Sequence, residues 1–230
     1  MRFKDVFSII GPSMIGPSSS HTAGAVRLGL TARSIFGCLP ESAEIMLYGS
    51  FADTYRGHGT DMAIVGGILD YSPDDPRIRD SLNSAQRAGI RIDFRTAVKP
   101  TAHPNTVTII LQGSCREDRI TGSSIGGGNI EITNVNEFDV RFTTMYPTLL
   151  IFHDDRTGMI ADVTRILCNS GVNISHMDVD RKSRKGDALT VIEMDGELPQ
   201  LVVQSISALP NIHRICTVNQ RGESCELHVT

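Results

Sequence analysis

Between residues 11 and 22 the sequence GPSMIGPSSSHT crowds Ser18, Ser19, Ser20, His21 and Thr22 into one turn, just ahead of a run with helical spacing. Imidazole is the side chain that changes charge nearest neutral pH, so His21 can take and return protons there. Hydroxyls and the open N–H groups of a helix start attract carboxylates and phosphates. Two Gly-Pro steps, at residues 11–12 and 16–17, free some φ angles and fix others, which gives the loop one shaped path. A plainer reading also fits: a Ser/Thr helix cap beside a solvent-facing histidine. Residue type alone does not separate the two.

A second cluster, GSFADTYRGHGTD at residues 49–61, sets His58 between Gly57 and Gly59. Thr60 follows as the expected N-cap of a helix over residues 60–70. Two loop–helix junctions, each with a histidine beside a hydroxyl, can converge on one anionic ligand, or they can be unrelated turns. A third stretch, TGSSIGGGNI at residues 121–130, has the look of a phosphate loop. Such loops feed a helix, whereas here β-prone NIEITNV follows, so a glycine-rich hairpin is expected. A fourth, HDDRTGMIAD at residues 153–162, joins an expected strand to an expected helix, and Asn173 opens the facing strand. Its backbone amides suit an amino acid; the alternative is an acidic turn with Arg156 paired locally. RKSRKG at residues 181–186 reads as a solvated basic turn.

None of these is a self-contained active site. There is no metal-ligand spacing, no G-x-S-x-G elbow and no lysine placed to anchor a cofactor. The five cysteines, Cys38, Cys115, Cys168, Cys216 and Cys225, are scattered and never form C-x-x-C. That pattern fits reduced thiols better than a disulfide framework or a cluster-binding set. A net charge of −4 argues against nucleic acid and anionic membrane as partners. No window has the roughly 18 apolar residues of a membrane span, and the first ten residues carry no secretory pattern. The expected compartment is the cytoplasm, and no metal is expected on this chain's own side chains.

The elements that must position these groups fall into two parts, which meet near TTMYPTLLI. In the first part, helices are expected over residues 23–36, 60–70 and 77–89. Strands are expected over 43–50, 90–97, 105–113, 116–124 and 129–135, in an antiparallel sheet, with NEFDVRF as a terminal strand. In the second part the order is strand 148–153, helix 159–168, strand 172–181, strand 188–194, helix 198–209 and strand 212–218. Gly171 suits a left-handed helix end, and a slip in alternation near His176 predicts a bulge. This β-α-β-β-α-β order is the split-βαβ arrangement. The fold class is α+β throughout.

GPSSSHTAGAVRLGL, YGSFADTYRGHGTD and TGSSIGGGNIEI together resemble the β subunit of the bacterial iron–sulfur-dependent L-serine dehydratases. The stretch FHDDRTGMIADVTRILCNSGVNISHMDVDRKSRKGDALTVIEMD resembles an ACT domain, a small ligand-sensing module. The resemblance implies a serine dehydratase β-type domain at 1–145, similar to the allosteric substrate-binding domain of some phosphoglycerate dehydrogenases. It implies a ferredoxin-like ACT domain at 148–222 and a tail at 223–230.

It further implies a [4Fe–4S] cluster ligated by a partner α subunit, with L-serine converted to pyruvate and ammonium. Iron with an open coordination position is a Lewis acid for the hydroxyl, and a base must remove the α proton. On this chain the resemblance implies His21 and His58 as proton-handling residues. Ser18, Ser19, Ser20, Thr22, Gly57 and Thr60 would hold substrate. Asp154, Arg156, Gly158, Met159, Asn173 and Ile174 would hold serine or another effector, with homodimerisation through the ACT domain. The alternative function is a free-standing amino-acid-binding regulator without catalysis.

Overall fold

The computed structural model describes residues 18–219 together with the backbone of 226–228. The two Gly-Pro steps and Cys225 therefore lie outside the described residues. Ser18 has extended backbone and begins the first helix, its Oγ accepting from the His21 N–H. The turn Ser19–Gly24 is a π-helix that runs directly into α1 (Ala25–Phe36). Gly37 ends α1 with φ 82°, a left-handed position where glycine carries no Cβ penalty.

There follow β1 (Ser42–Tyr48), α2 (Gly49–Thr54), α3 (Thr60–Ile68), a 3₁₀ turn (Pro76–Asp80), α4 (Ser81–Arg87), β2 (Arg91–Ala97), β3 (Thr106–Gln112), β4 (Glu117–Gly126) and β5 (Asn129–Val135). The five strands form one sheet in the order β2-β1-β3-β4-β5. The expected all-antiparallel sheet is corrected at one edge, where β1 and β2 run parallel. The helices α2 to α4 lie between those strands, and a helical crossover is what a parallel pair requires. NEFDVRF is not a strand: it makes isolated bridges from Phe138 to Val135 and from Phe142 to Ile132.

Alternate residues of β1 (Ala43, Ile45, Leu47) and of β3 (Val107, Ile109, Leu111) face α1 and α3 in one core. Gly67 in α3 and Gly29 in α1 have a shared packing reason. Helix α1 crosses α3 so closely that a Cβ on Gly67 would stand 2.1 Å from the Val26 carbonyl oxygen. A Cβ on Gly29 would stand 2.2 Å from that of Ile64. Gly67→Ala must therefore push two backbones apart. The expected cost is about 1–3 kcal/mol, read as a fall in Tm of roughly 2–4 °C for each kcal/mol. An unchanged Tm would contradict the packing described.

The second part comprises β6 (Thr148–Asp154), α5 (Met159–Asn169), β7 (Ile174–Arg181), β8 (Asp187–Met194), α6 (Gln200–Ser207) and β9 (Ile212–Val218). This is the ferredoxin-like β-α-β-β-α-β order. A short β10 (Glu226–His228), inside the stretch expected to be a tail, adds antiparallel to β9, so the sheet runs β10-β9-β6-β8-β7. The register of β7 shifts between Ile174 and His176, the bulge the alternation predicted.

The central strands β6 and β8 are buried on both faces, which explains the unbroken apolar run of TLLI. Leu149, Ile151, Ile192, Met194 and Ile215 pack under α5 and α6. Leu150, Leu189, Val191, Cys216 and Val218 join the first core, and the Cys216 thiol meets the Ile35 carbonyl of α1 at 3.4 Å. Polar contacts fasten the same boundary. Arg214 binds Asp118 through two hydrogen bonds, 2.7 and 2.9 Å. Buried Glu193 accepts from the backbone and hydroxyl of Thr143, each at 2.9 Å.

Candidate functional site

The first two histidine-bearing turns converge. The His21 and His58 rings stand edge to face with centroids 4.9 Å apart. Three elements hold His21 in place. Ser18 Oγ, at the helix start, lies 3.3 Å from Nδ1. Ser50 Oγ, from α2, lies 3.3 Å from Nε2. The buried Phe51 ring packs edge-on at 5.3 Å. Contacts of that length steer the imidazole without locking it, as is common before substrate arrives.

His58 is placed by the turn before α3. Its N–H donates to the Thr54 carbonyl, the Thr60 N–H donates to that of Tyr55, and Gly59 turns the chain with φ 70°. His58 faces solvent, whereas His21 is half-buried. Burial first, and the neighbouring His58 second, push the His21 pKa below its ordinary value. At neutral pH His21 is therefore an uncharged imidazole, one ring nitrogen of which can accept a proton.

The expected substrate-holding residues divide. Ser18, Ser19 and Ser20 are half-buried and Gly57 is exposed, all on the turns that carry the histidines. Thr22 and Thr60 are turned inward, 2% and 0% exposed. Their hydroxyls have no hydrogen-bond partner among the described residues. Thr60 is not the N-cap of α3; Gly59 holds that position.

The sequence reading missed Ser50 and Arg27. Ser50 lies inside the quoted second cluster, but only the tertiary fold aims it at His21. Arg27 sits near the start of α1 and donates to the Gly128 carbonyl at 2.8 Å, and burial lowers its pKa. Gly128 belongs to the expected glycine hairpin, where Gly126, Gly127 and Gly128 all have positive φ. Arg27 thus ties that hairpin to the helix bearing His21.

The expected effector residues do not gather within one chain. Asp154 and Arg156 border a cavity of about 560 Å³ with Arg181, Arg184, Lys185 and Asn211. His213 and Asn211 donate to Asp154 and hold its carboxyl below the usual range. Arg156 pairs with Asp162 at 2.8 Å, the local pairing left open by the sequence. Gly158 caps α5 in the left-handed region, and Met159 is a core residue, 1% exposed. Asn173 binds Asp195 at 2.6 Å, and Ile174 packs at the margin of the second core. Asp154 pairs across the sheet with Asp187, at one end of β8, while Ile174 pairs with Met194 at the other. A strand of that length spans about 25 Å.

Among the described residues, the cysteines do not gather into a cluster-binding set. Cys38, Cys115 and Cys168 are exposed and Cys216 is buried against α1. Among the described residues, the single trio of His, Cys, Asp or Glu ligand atoms within 4.8 Å of one another is Asp154, Asp187 and His213, without a thiol. No described helix is long and apolar enough to cross a membrane.

Residues 3–134 match the family model for the serine dehydratase beta chain, and residues 147–211 match that for the ACT domain. The chain is 46% identical to a probable L-serine dehydratase β chain of Bacillus subtilis (strain 168), covering 95% of this chain and 99% of that one. It is 37% identical to an L-serine dehydratase β chain of Peptoniphilus asaccharolyticus, covering 92% and 95%. A D-3-phosphoglycerate dehydrogenase of Synechocystis sp. (strain ATCC 27184 / PCC 6803 / Kazusa) is 25% identical over 84% of this chain and 35% of its own length. The chain belongs to the serine dehydratase β-chain family and carries an ACT domain.

Proposed function

We propose that this chain is the β subunit of an L-serine dehydratase, acting with an α subunit that ligates a [4Fe–4S] cluster. The observation that carries the reading is the neutral His21 imidazole, held between two serine hydroxyls with His58 at 4.9 Å. Such a group can move the α proton of an amino acid. The serines at the helix start, Ser18 to Ser20, would receive the substrate carboxylate where the two subunits meet. Thr22, Thr60 and Gly57 would shape the turns behind them. The reaction yields pyruvate and ammonium in the cytoplasm, and the pyruvate can feed gluconeogenesis. Anaerobic co-expression with a cysteine-bearing α chain tests this. Iron and serine-dependent pyruvate should appear only with both chains. Full activity from this chain alone, or none from the pair, would overturn the assignment.

We propose also that the ACT part binds serine or a related effector across two copies of the chain. The loop at Asp154, Arg156 and Gly158 and the Asn173–Ile174 corner are a strand length apart, so one ligand can touch both only if two chains contribute. β7 is the free edge of its sheet and exposes Met177 and Val179, and an edge strand offers its backbone to another. Sedimentation and calorimetry of the full chain with millimolar L-serine should show a dimer and a binding heat, both weakened by Asn173→Ala. A monomer giving no heat removes the effector role.

A further inference from the structure

The helix-free face of the first sheet carries hydroxyls in register. Tyr48 lies opposite Thr106, and Thr106 opposite Ser123. One step along, Thr108 lies opposite Thr121. Two cations reach over this face: Lys99 from the β2–β3 loop and Arg141 from the segment leading to β6. Together they line a cavity of about 320 Å³ that has no acidic residue in its wall. Among the described residues, neither cation is in an ion pair.

The protons of the hydroxyls can be followed. Thr106 donates to the His103 carbonyl at 2.6 Å, so Ser123 must donate to Thr106 across their 2.8 Å contact. The Thr108–Thr121 pair at 2.9 Å uses one proton and leaves the other free. That hydroxyl, the Tyr48 phenol, an ammonium and a guanidinium are then donors around one space. Four donors from separate segments of the chain, carrying two full positive charges, match a tetrahedral dianion better than a planar carboxylate. We infer that this cavity is a phosphate site, taking free phosphate or a small phosphomonoester. Its lining includes neither histidine of the pair and no residue of the ACT loop. The Arg141 backbone N–H is itself bound by Asp178 of β7 at 2.9 Å, so an anion held here would also brace the ACT edge strand.

The purified full chain is melted in rising potassium phosphate at constant ionic strength set by KCl, and in parallel with glycerol 3-phosphate and with malonate. A saturable rise in Tm is expected, about 3–6 °C at tenfold excess over Kd. Lys99→Met and Arg141→Met, both at exposed side chains, should each abolish most of it, and His21→Ala should keep it. Tighter binding of the ester assigns an organic phosphate, and tighter binding of the inorganic ion assigns free phosphate; both support the site. The inference fails if the rise is linear and persists in the Lys99→Met/Arg141→Met double variant, the mark of general salting-out. It fails equally if malonate matches phosphate, or if His21→Ala removes the response.

Discussion

Replacement of His21 by alanine in the reconstituted enzyme lowers kcat/KM for L-serine by about 100- to 10,000-fold, the range for losing a positioned acid–base group. The physical basis is the state of the ring. Burial and the nearby His58 keep His21 uncharged at neutral pH, and Ser18 and Ser50 hold both its nitrogens. The neutral form is the one the fold favours. Activity and the stability linked to His21 are therefore fully present above the ordinary histidine value near 6.5. Both decline as pH falls through the lower folded value. The acid limb of kcat/KM should lie below 6.5, and His58→Ala should move it upward by removing the second cause. In the double variant the two losses should not add, because the rings act as a unit. Near-normal kcat and KM in both single variants would refute the assignment.

Arg214→Met should destabilise the chain by about 2–4 kcal/mol, a fall in Tm of roughly 5–15 °C. Asp118 is 2% exposed and takes both forks of the Arg214 guanidinium, which also lies over the Phe152 ring at 4.2 Å. Removing the arginine leaves a carboxylate in a nearly dry place. The cost falls toward the lower end of what a broken buried pair exacts, because Arg116 at 3.4 Å and Asn136 at 2.9 Å remain. Replacing both partners, with Asp118→Leu and Arg214→Met, should recover part of the loss, since the buried carboxylate leaves with its arginine while Arg116 and Asn136 each give up a contact to it. A single variant within about 0.5 kcal/mol of the parent would mean the pair does not hold the two sheets together.

Those expectations draw on different layers of legibility. The strands of the second part were readable because their patterns are local. IHRICTV matches β9 residue for residue, and the slip at His176 is visible as a break in period two. The glycine hairpin was readable because no helix follows it. The parallel edge was not readable. It depends on which strand lies beside β1 once the intervening helices have packed, and β1 shows the same alternation in either case. Thr60 misled because a threonine before a helix usually caps it; here Gly59 makes the turn and buries Thr60 instead. Ser50 and Arg27 gave no local signal, since their partners lie 29 and 101 residues away.

Sequence by itself determined the element order of the second part, the two histidine turns and, through its three N-terminal motifs, the family. Each rests on neighbours along the chain, where propensity and period act directly. Tertiary structure alone decided that the turns meet, that one imidazole is half-buried and neutral while the other is exposed, and that the central strands β6 and β8 of the second sheet are covered on both faces. Those outcomes follow from the packing of α1 against both sheets, and contact between distant segments leaves no mark on the spacing of either.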